Sequence, residues 1–203
     1  ISELERQGVS VELGVEVTVD KVKDISPDVV IIATGARMAT PSIEGADGEG
    51  VYGALDVLDG DIPAGKRVVV CGAGLVGTEV AMFLAEQHDK QVTLVDQISE
   101  VVPEVGNFTR WVIQSKLVED GIEVKLNHCI DCILSDSLSC TCDGNETSIE
   151  GDAFVLALGM MPNTELLDAL ADGEMEIITV GDAVKPRKIL QAVHEGFHAG
   201  RRI

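Results

Sequence analysis

Apolar residues fall along this chain in two rhythms. Short apolar-rich runs, each closed by a glycine or an acid, recur within Asp28 to Gly35, Lys66 to Cys71, Gln91 to Asp96 and Asp152 to Gly159. Such runs, flanked by turn formers, predict strands buried on both faces, as in parallel sheets. Between them the apolar spacing lengthens to three and four positions over Leu75 to Gln87, and a similar stretch covers Asn107 to Asp120. That spacing predicts helices. A further strand is expected over Ile122 to Leu126. From His128 to Ile149 the chain turns polar and alternating, which predicts a small antiparallel excursion. A helix from about Thr164 to Ala171, a strand at Ile177 to Val180 and a last helix from about Arg187 complete the pattern. Strand and helix in alternation predict an α/β fold with a parallel sheet.

Two of the apolar runs resemble each other. Asp28 to Gly35 reads DVVIIATG and Asp152 to Gly159 reads DAFVLALG, and a self-contained α/β pattern lies between them. This arrangement predicts a split domain. Residues 1–47 and 151–203 would form the two segments of one body, with residues 48–150 inserted. Pro41 to Gly50, rich in Pro, Gly and Asp, and the polar stretch Asn145 to Gly151 are expected as linkers.

Composition narrows the partners. The chain has 203 residues, 45% hydrophobic and 25% charged, which suits a globular fold. Its Lys+Arg 15 against Asp+Glu 35 leaves a net charge of −20. A surface so acidic repels phosphate backbones and anionic headgroups, so neither nucleic acid nor a membrane surface is expected as partner. No apolar run approaches the roughly 20 residues of a bilayer span. The opening ISELERQG lacks a secretion signal, which makes a cytoplasmic location the expectation. It also lacks an initiator Met, which suggests a segment of a longer chain. Aromatic residues at 3%, with Gly 21, argue against an all-β sandwich.

The chemistry gathers at Gly72-Ala73-Gly74-Leu75-Val76-Gly77, after the strand ending at Cys71 and at the start of a helix. Gly72 permits the tight turn, Gly74 lets a pyrophosphate approach the backbone, and Gly77 allows close packing of helix on sheet. The amides that open the helix at Leu75 and Val76 then face the phosphates. The next strand ends in Asp96, whose carboxylate can accept hydrogen bonds from the adenine-ribose hydroxyls. A 2′-phosphate would meet that carboxylate, and Gln97 and Ile98 offer no cation to offset it. NADH is therefore expected over NADPH.

Gly77-Thr78-Glu79-Val80-Ala81 continues the motif, and here the chain resembles the two-dinucleotide-domain flavoprotein disulfide reductases. In that superfamily a Rossmann-like NAD(P)H-binding domain interrupts an FAD-binding domain. The resemblance implies that Glu79 lies near the nicotinamide; a solvated helix glutamate is the plainer alternative. Ala33-Thr34-Gly35 resembles the turn closing the first FAD segment, and Ala157-Leu158-Gly159-Met160-Met161-Pro162-Asn163 the second junction. Val180-Gly181-Asp182-Ala183 resembles the late Gly-Asp motif, which implies that Asp182 binds the flavin ribityl chain. A backbone turn and helix cap would also explain it.

The closing string from Gly181 to Ile189, with His194 to Gly200, is similar to the C-terminal region of NADH:flavin oxidoreductases related to old yellow enzyme. That group includes trimethylamine dehydrogenase, dienoyl-CoA reductase and enoate reductases. Membership implies an upstream barrel carrying FMN and a 4Fe–4S cluster, with hydride passing from NADH to FAD and electrons onward to FMN. It implies that Gly72, Gly74, Leu75, Val76, Gly77, Glu79 and Asp96 hold NADH while Gly35, Gly159 and Asp182 border FAD. This chain starts after the family's first FAD glycine loop, so tight FAD binding by these residues alone is not expected. Apolar faces left by the absent strands then need cover, self-association being one form of it. Two rivals stand beside this reading. One is a portion of a simpler NADH oxidase or of a ferredoxin or rubredoxin reductase; the other is a module holding ADP or NAD without catalysis.

No acid, base or nucleophile stands out as catalytic. The five cysteines, Cys71, Cys129, Cys132, Cys140 and Cys142, are spaced poorly for zinc and are expected as ordinary thiols. His194 and His198 lie four apart with no third ligand in view, so no metal site is expected. Trp111 is expected in core or interface packing, and the acid run Asp168 to Glu176 in solvent.

Overall fold

The computed structural model describes residues 2–39, 41–171, 173 and 175–203. Two positions of the acid run, Asp172 and Glu174, lie outside the described residues. The chain forms two compact units, one of Ile1–Arg37 with Met161–Ile203 and one of Met38–Met160.

The larger unit is built on a five-stranded parallel sheet. Its strands are β3 (Val51–Gly53), β4 (Arg67–Cys71), β5 (Gln91–Val95), β6 (Glu123–Lys125) and β10 (Ala153–Leu156), in the order β3-β10-β4-β5-β6. Helices α3 (Ala54–Leu58), α4 (Leu75–His88) and α5 (Asn107–Glu119) join them. The excursion after β6 is a three-stranded antiparallel sheet of β7 (His128–Ile133), β8 (Ser137–Cys142) and β9 (Asn145–Glu150).

The unbroken apolar run of β4 has a simple cause, since both faces of the strand are covered. Val68 and Val70 pack with Val80, Ala81 and Leu84 of α4 and with Leu117 of α5. Val69 and Cys71 point the other way, into a second core with Phe154 and with Ile133, Leu138, Cys140 and Ile149 of the antiparallel sheet. All these residues are nearly or wholly buried. Each buried Val, Leu, Ile or Phe among them contributes about 1.5–3 kcal/mol.

The smaller unit contains α1 (Ser2–Arg6), α2 (Val19–Ile25), β1 (Val29–Ile32), α6 (Glu165–Leu170), β12 (Glu176–Thr179), a 3-10 turn at Gly181–Ala183 and α7 (Ile189–Gly200). Its sheet is the parallel pair β1 and β12, with Ile31 opposite Ile178. Thr18 caps α2 by accepting from the Lys21 amide at 3.3 Å. Val22, Ile32, Leu170 and Ala183 make its core. The alternating Val9, Val11, Leu13, Val15 and Val17 are all exposed, as are Ile189, Leu190, Val193 and Phe197 of α7. Strands β2 (Ala36–Met38) and β11 (Met160–Pro162) form a further two-stranded sheet.

One expectation is corrected. The run Asp152 to Gly159 was expected beside Asp28 to Gly35 in one body. Its strand β10 instead pairs in parallel with β3 and β4, with Val155 opposite Val70. An apolar run reports that both faces of a strand are covered, but not which sheet covers them. The chain passes between the compact units at residues 37/38 and 160/161, not near 47 and 151, and the expected linker Asn145 to Gly151 is instead largely strand β9, paired with β8. Of the two packing roles open to Trp111, the core is not the one it takes: its residue is 62% exposed on α5, with Phe108 at 6.3 Å between ring centroids.

Candidate functional site

The glycine loop leaves β4 at Gly72, where φ is 117°. Its amide donates to the Val95 carbonyl at 2.8 Å. A Cβ at Gly72 would lie 2.4 Å from the Ala157 carbonyl oxygen, and one at Gly77 would lie 1.8 Å from the Gly72 carbonyl oxygen. Packing alone therefore demands both glycines. Gly74 differs. Its φ is −73°, open to any residue, and a Cβ there would meet just Glu104 Oε1, at 3.5 Å. Nothing in the folding of this loop requires Gly74 to be glycine, and its bare face is what a close-approaching ligand needs.

Leu75 and Val76 open α4, where amides lack partners within the helix and the dipole favours an anion. Thr78, a fully buried polar residue, donates from Oγ1 to the Leu75 carbonyl at 2.8 Å and tightens this first turn. Glu79 lies on the same helix with its side chain exposed.

Asp96 follows β5 and is half-buried. Its Oδ2 accepts from the Ala73 amide at 2.6 Å and its Oδ1 from the Ile98 amide at 3.2 Å. The carboxylate thus ties the glycine loop to the end of the neighbouring strand, a second task the sequence did not reveal. A cavity of about 260 Å³ opens beside it, with Ile43, Gln97, His128, Cys129 and Leu158 in its wall. Mixed apolar walls with one carboxylate suit a nucleoside.

Sequence reasoning missed two residues of this corner. Ala157, in the turn after β10, packs against Gly72 and Gly77 and is visible only once β10 is placed beside β4. Glu104 accepts the Leu75 amide on Oε1 at 2.7 Å. Its place in the sequence, within an irregular loop, carries no signal of that contact.

The remaining expected residues make contacts of their own. Gly35, at φ 73°, accepts the Asn163 amide on its carbonyl at 3.0 Å, and Thr34 Oγ1 donates to the Asn163 carbonyl at 2.7 Å. Gly159, at φ 105°, accepts the Ala39 amide at 3.0 Å. Asp182 Oδ1 accepts the Arg187 amide at 3.1 Å. Glu195 accepts the Gly181 amide at 2.8 Å and pairs with Arg187, and these two contacts hold its carboxyl below the usual range.

Among the cysteines, burial and the neighbouring Cys140 and Asp96 push the Cys71 thiol up to about 12. Burial, then Asp131 and the other thiols, lift Cys140 to about 11. Among the described residues, no three His, Cys, Asp or Glu side chains converge as metal ligands, and no helix is long and apolar enough to cross a membrane.

A parallel strand, a glycine turn, a helix and a second strand ending in a carboxylate define a Rossmann-like dinucleotide-binding fold. More narrowly, the chain belongs to the pyridine nucleotide-disulphide oxidoreductase family, whose sequence profile matches residues 2–185. This is a family of FAD- and NAD(H)-binding oxidoreductases. The chain is 35% identical to an NADH oxidase of Thermoanaerobacter brockii over 100% of its own length and 32% of that protein's. It is 30% identical to a cinnamate reductase of Clostridium sporogenes, covering 97% and 30% respectively. Among solved structures, a 2-naphthoyl-CoA reductase complex superposes with TM-score 0.90 at 29% identity, covering 100% of this chain and 31% of that one. The chain therefore spans about a third of the length of these relatives.

Proposed function

We propose that this chain is the NADH-binding portion of an NADH-dependent flavin oxidoreductase, in which hydride passes to FAD and electrons continue to FMN through an iron–sulfur cluster carried elsewhere in the full-length protein. The observation that carries the nucleotide reading is Gly74, a glycine the fold does not need, set at the mouth of a 14-residue helix beside a carboxylate.

When bound, NADH supplies the hydride, and the residues of this chain do the holding. Gly74 admits the pyrophosphate, and the Leu75 and Val76 amides face it. Gly72 and Gly77 keep the turn closed against Ala157. Asp96 receives the adenine-ribose hydroxyls while its other contacts fix the loop. It also repels a 2′-phosphate, which gives the preference for NADH over NADPH. Glu79 lies toward the nicotinamide. The reading of Gly35, Gly159 and Asp182 as FAD border residues rests on the sequence resemblance. The chain contributes orientation and electrostatics, and the redox chemistry belongs to the cofactors.

Two relatives favour an unsaturated acid derivative as terminal acceptor, because one is named a cinnamate reductase and one a 2-naphthoyl-CoA reductase. The test of the nucleotide reading is calorimetry of this protein with NADH and NADPH. NADH should bind at least about tenfold more tightly. Equal or inverted affinities would remove Asp96 from its role, and no binding of either would remove the site.

A further inference from the structure

The loop Val101 to Glu104 delivers an acid onto the helix end assigned above to the pyrophosphate. The Leu75 amide is one of the groups α4 cannot satisfy internally, and it donates to Glu104 Oε1 at 2.7 Å. The same oxygen lies 3.5 Å from the point where a Cβ on Gly74 would sit, so it stands over the bare face of that glycine. A carboxylate and a phosphate oxygen are both anions seeking the same N–H. They cannot occupy it together without repulsion.

The loop is anchored for this purpose. Val101 and Val102 are buried, and the Val102 amide donates to the Ala73 carbonyl inside the glycine loop at 2.8 Å. Val102 sits at φ 43°, a left-handed conformation unfavourable for a β-branched residue that also precedes a proline. Fixed contacts hold that conformation. Beyond this anchor the side chain of Glu104 is exposed to solvent.

We propose that Glu104 sets the affinity of the pyrophosphate seat: its carboxylate caps α4 in the free protein and is displaced from the Leu75 amide when a dinucleotide binds. The proposal rests on the NADH reading and predicts something that reading does not. Removing a cap alone lowers stability, whereas removing a competitor strengthens ligand binding. Glu104 does both, so the two effects must appear together with opposite signs.

The experiment compares the protein with Glu104→Ala and Glu104→Gln, titrating NADH, ADP and adenosine and recording thermal melts. Glu104→Ala should bind NADH and ADP about 3- to 30-fold more tightly while melting slightly lower. Glu104→Gln, which keeps the acceptor and loses the charge, should fall between. Adenosine, which has no phosphate, should bind alike to all three proteins. Unchanged or weaker NADH and ADP binding in both variants would overturn the proposal and leave the NADH reading standing. A gain for adenosine equal to that for NADH would overturn it too, because the effect would then lie outside the phosphate seat. Failure of every protein to bind NADH would defeat the NADH reading itself, and the proposal with it.

Discussion

Replacing Gly74 by alanine separates what the glycine loop needs for folding from what it needs for a ligand. At φ −73° alanine is unstrained, and its methyl would meet one flexible carboxylate oxygen at ordinary contact distance, 3.5 Å. Alanine is a poorer helix cap than glycine by several tenths of a kcal/mol, and it restricts the unfolded chain by about 0.4–1 kcal/mol. These nearly cancel, so stability should stay within about 1 kcal/mol and the melting temperature within about 4 °C. Binding is another matter. The methyl stands where an anion approaches the amides, and losing one charge-assisted hydrogen bond costs about 1.5–3 kcal/mol, or about 10- to 150-fold in Kd. Gly77→Ala is the control, because its Cβ would sit 1.8 Å from the Gly72 carbonyl oxygen, a backbone atom that cannot yield. That variant should melt much lower or fail to fold. Thermal melts with NADH calorimetry decide the matter. Wild-type NADH affinity in Gly74→Ala would refute the reasoning, and so would a loss of stability as large as that of Gly77→Ala.

Other outcomes follow from the same geometry. Asp96→Asn keeps an acceptor for the Ala73 amide but loses the charge, so the protein should stay folded while the preference for NADH over NADPH shrinks; adding Gln97→Arg should invert it by calorimetry. A thiol reagent at pH 8 should modify exposed Cys129 first and leave Cys71, whose burial lifts its thiol to about 12, untouched in the folded protein; early Cys71 labelling by mass spectrometry would contradict the packing. Asp152 is held down to about 2 by the Arg67 amide, the Arg67 guanidinium and the Lys66 amide. Because its folded pKa lies below the unfolded value of about 3.9, its stabilisation is complete above that value and fades as pH falls toward 2. Urea unfolding should therefore show Asp152→Asn less stable than wild type at pH 7, with the gap closing between about pH 4 and 2; a gap independent of pH would disprove the linkage.

The sequence by itself determined the β4-α4-β5 unit almost to the residue. Its signals are local: an apolar run, glycines at fixed spacing, a helical rhythm and an acid at a strand end. Local steric and burial requirements write these directly into consecutive positions. The antiparallel excursion over β7 to β9 was legible for the same reason. Pairing across distance was not. The DAFVLALG run announces a covered strand, yet it joins β3 and β4 and not β1, because hydrophobic burial is non-directional and does not name its partner. Trp111 lies on a helix whose apolar positions are not all used by the core, and composition cannot say which face is turned inward. Only the tertiary structure could set Ala157 against Gly72 and Gly77, give Asp96 its hold on the Ala73 amide, or bring Glu104 onto the Leu75 amide across 29 positions of sequence. Those contacts depend on where separate strands and loops end in space, which no single stretch of residues encodes.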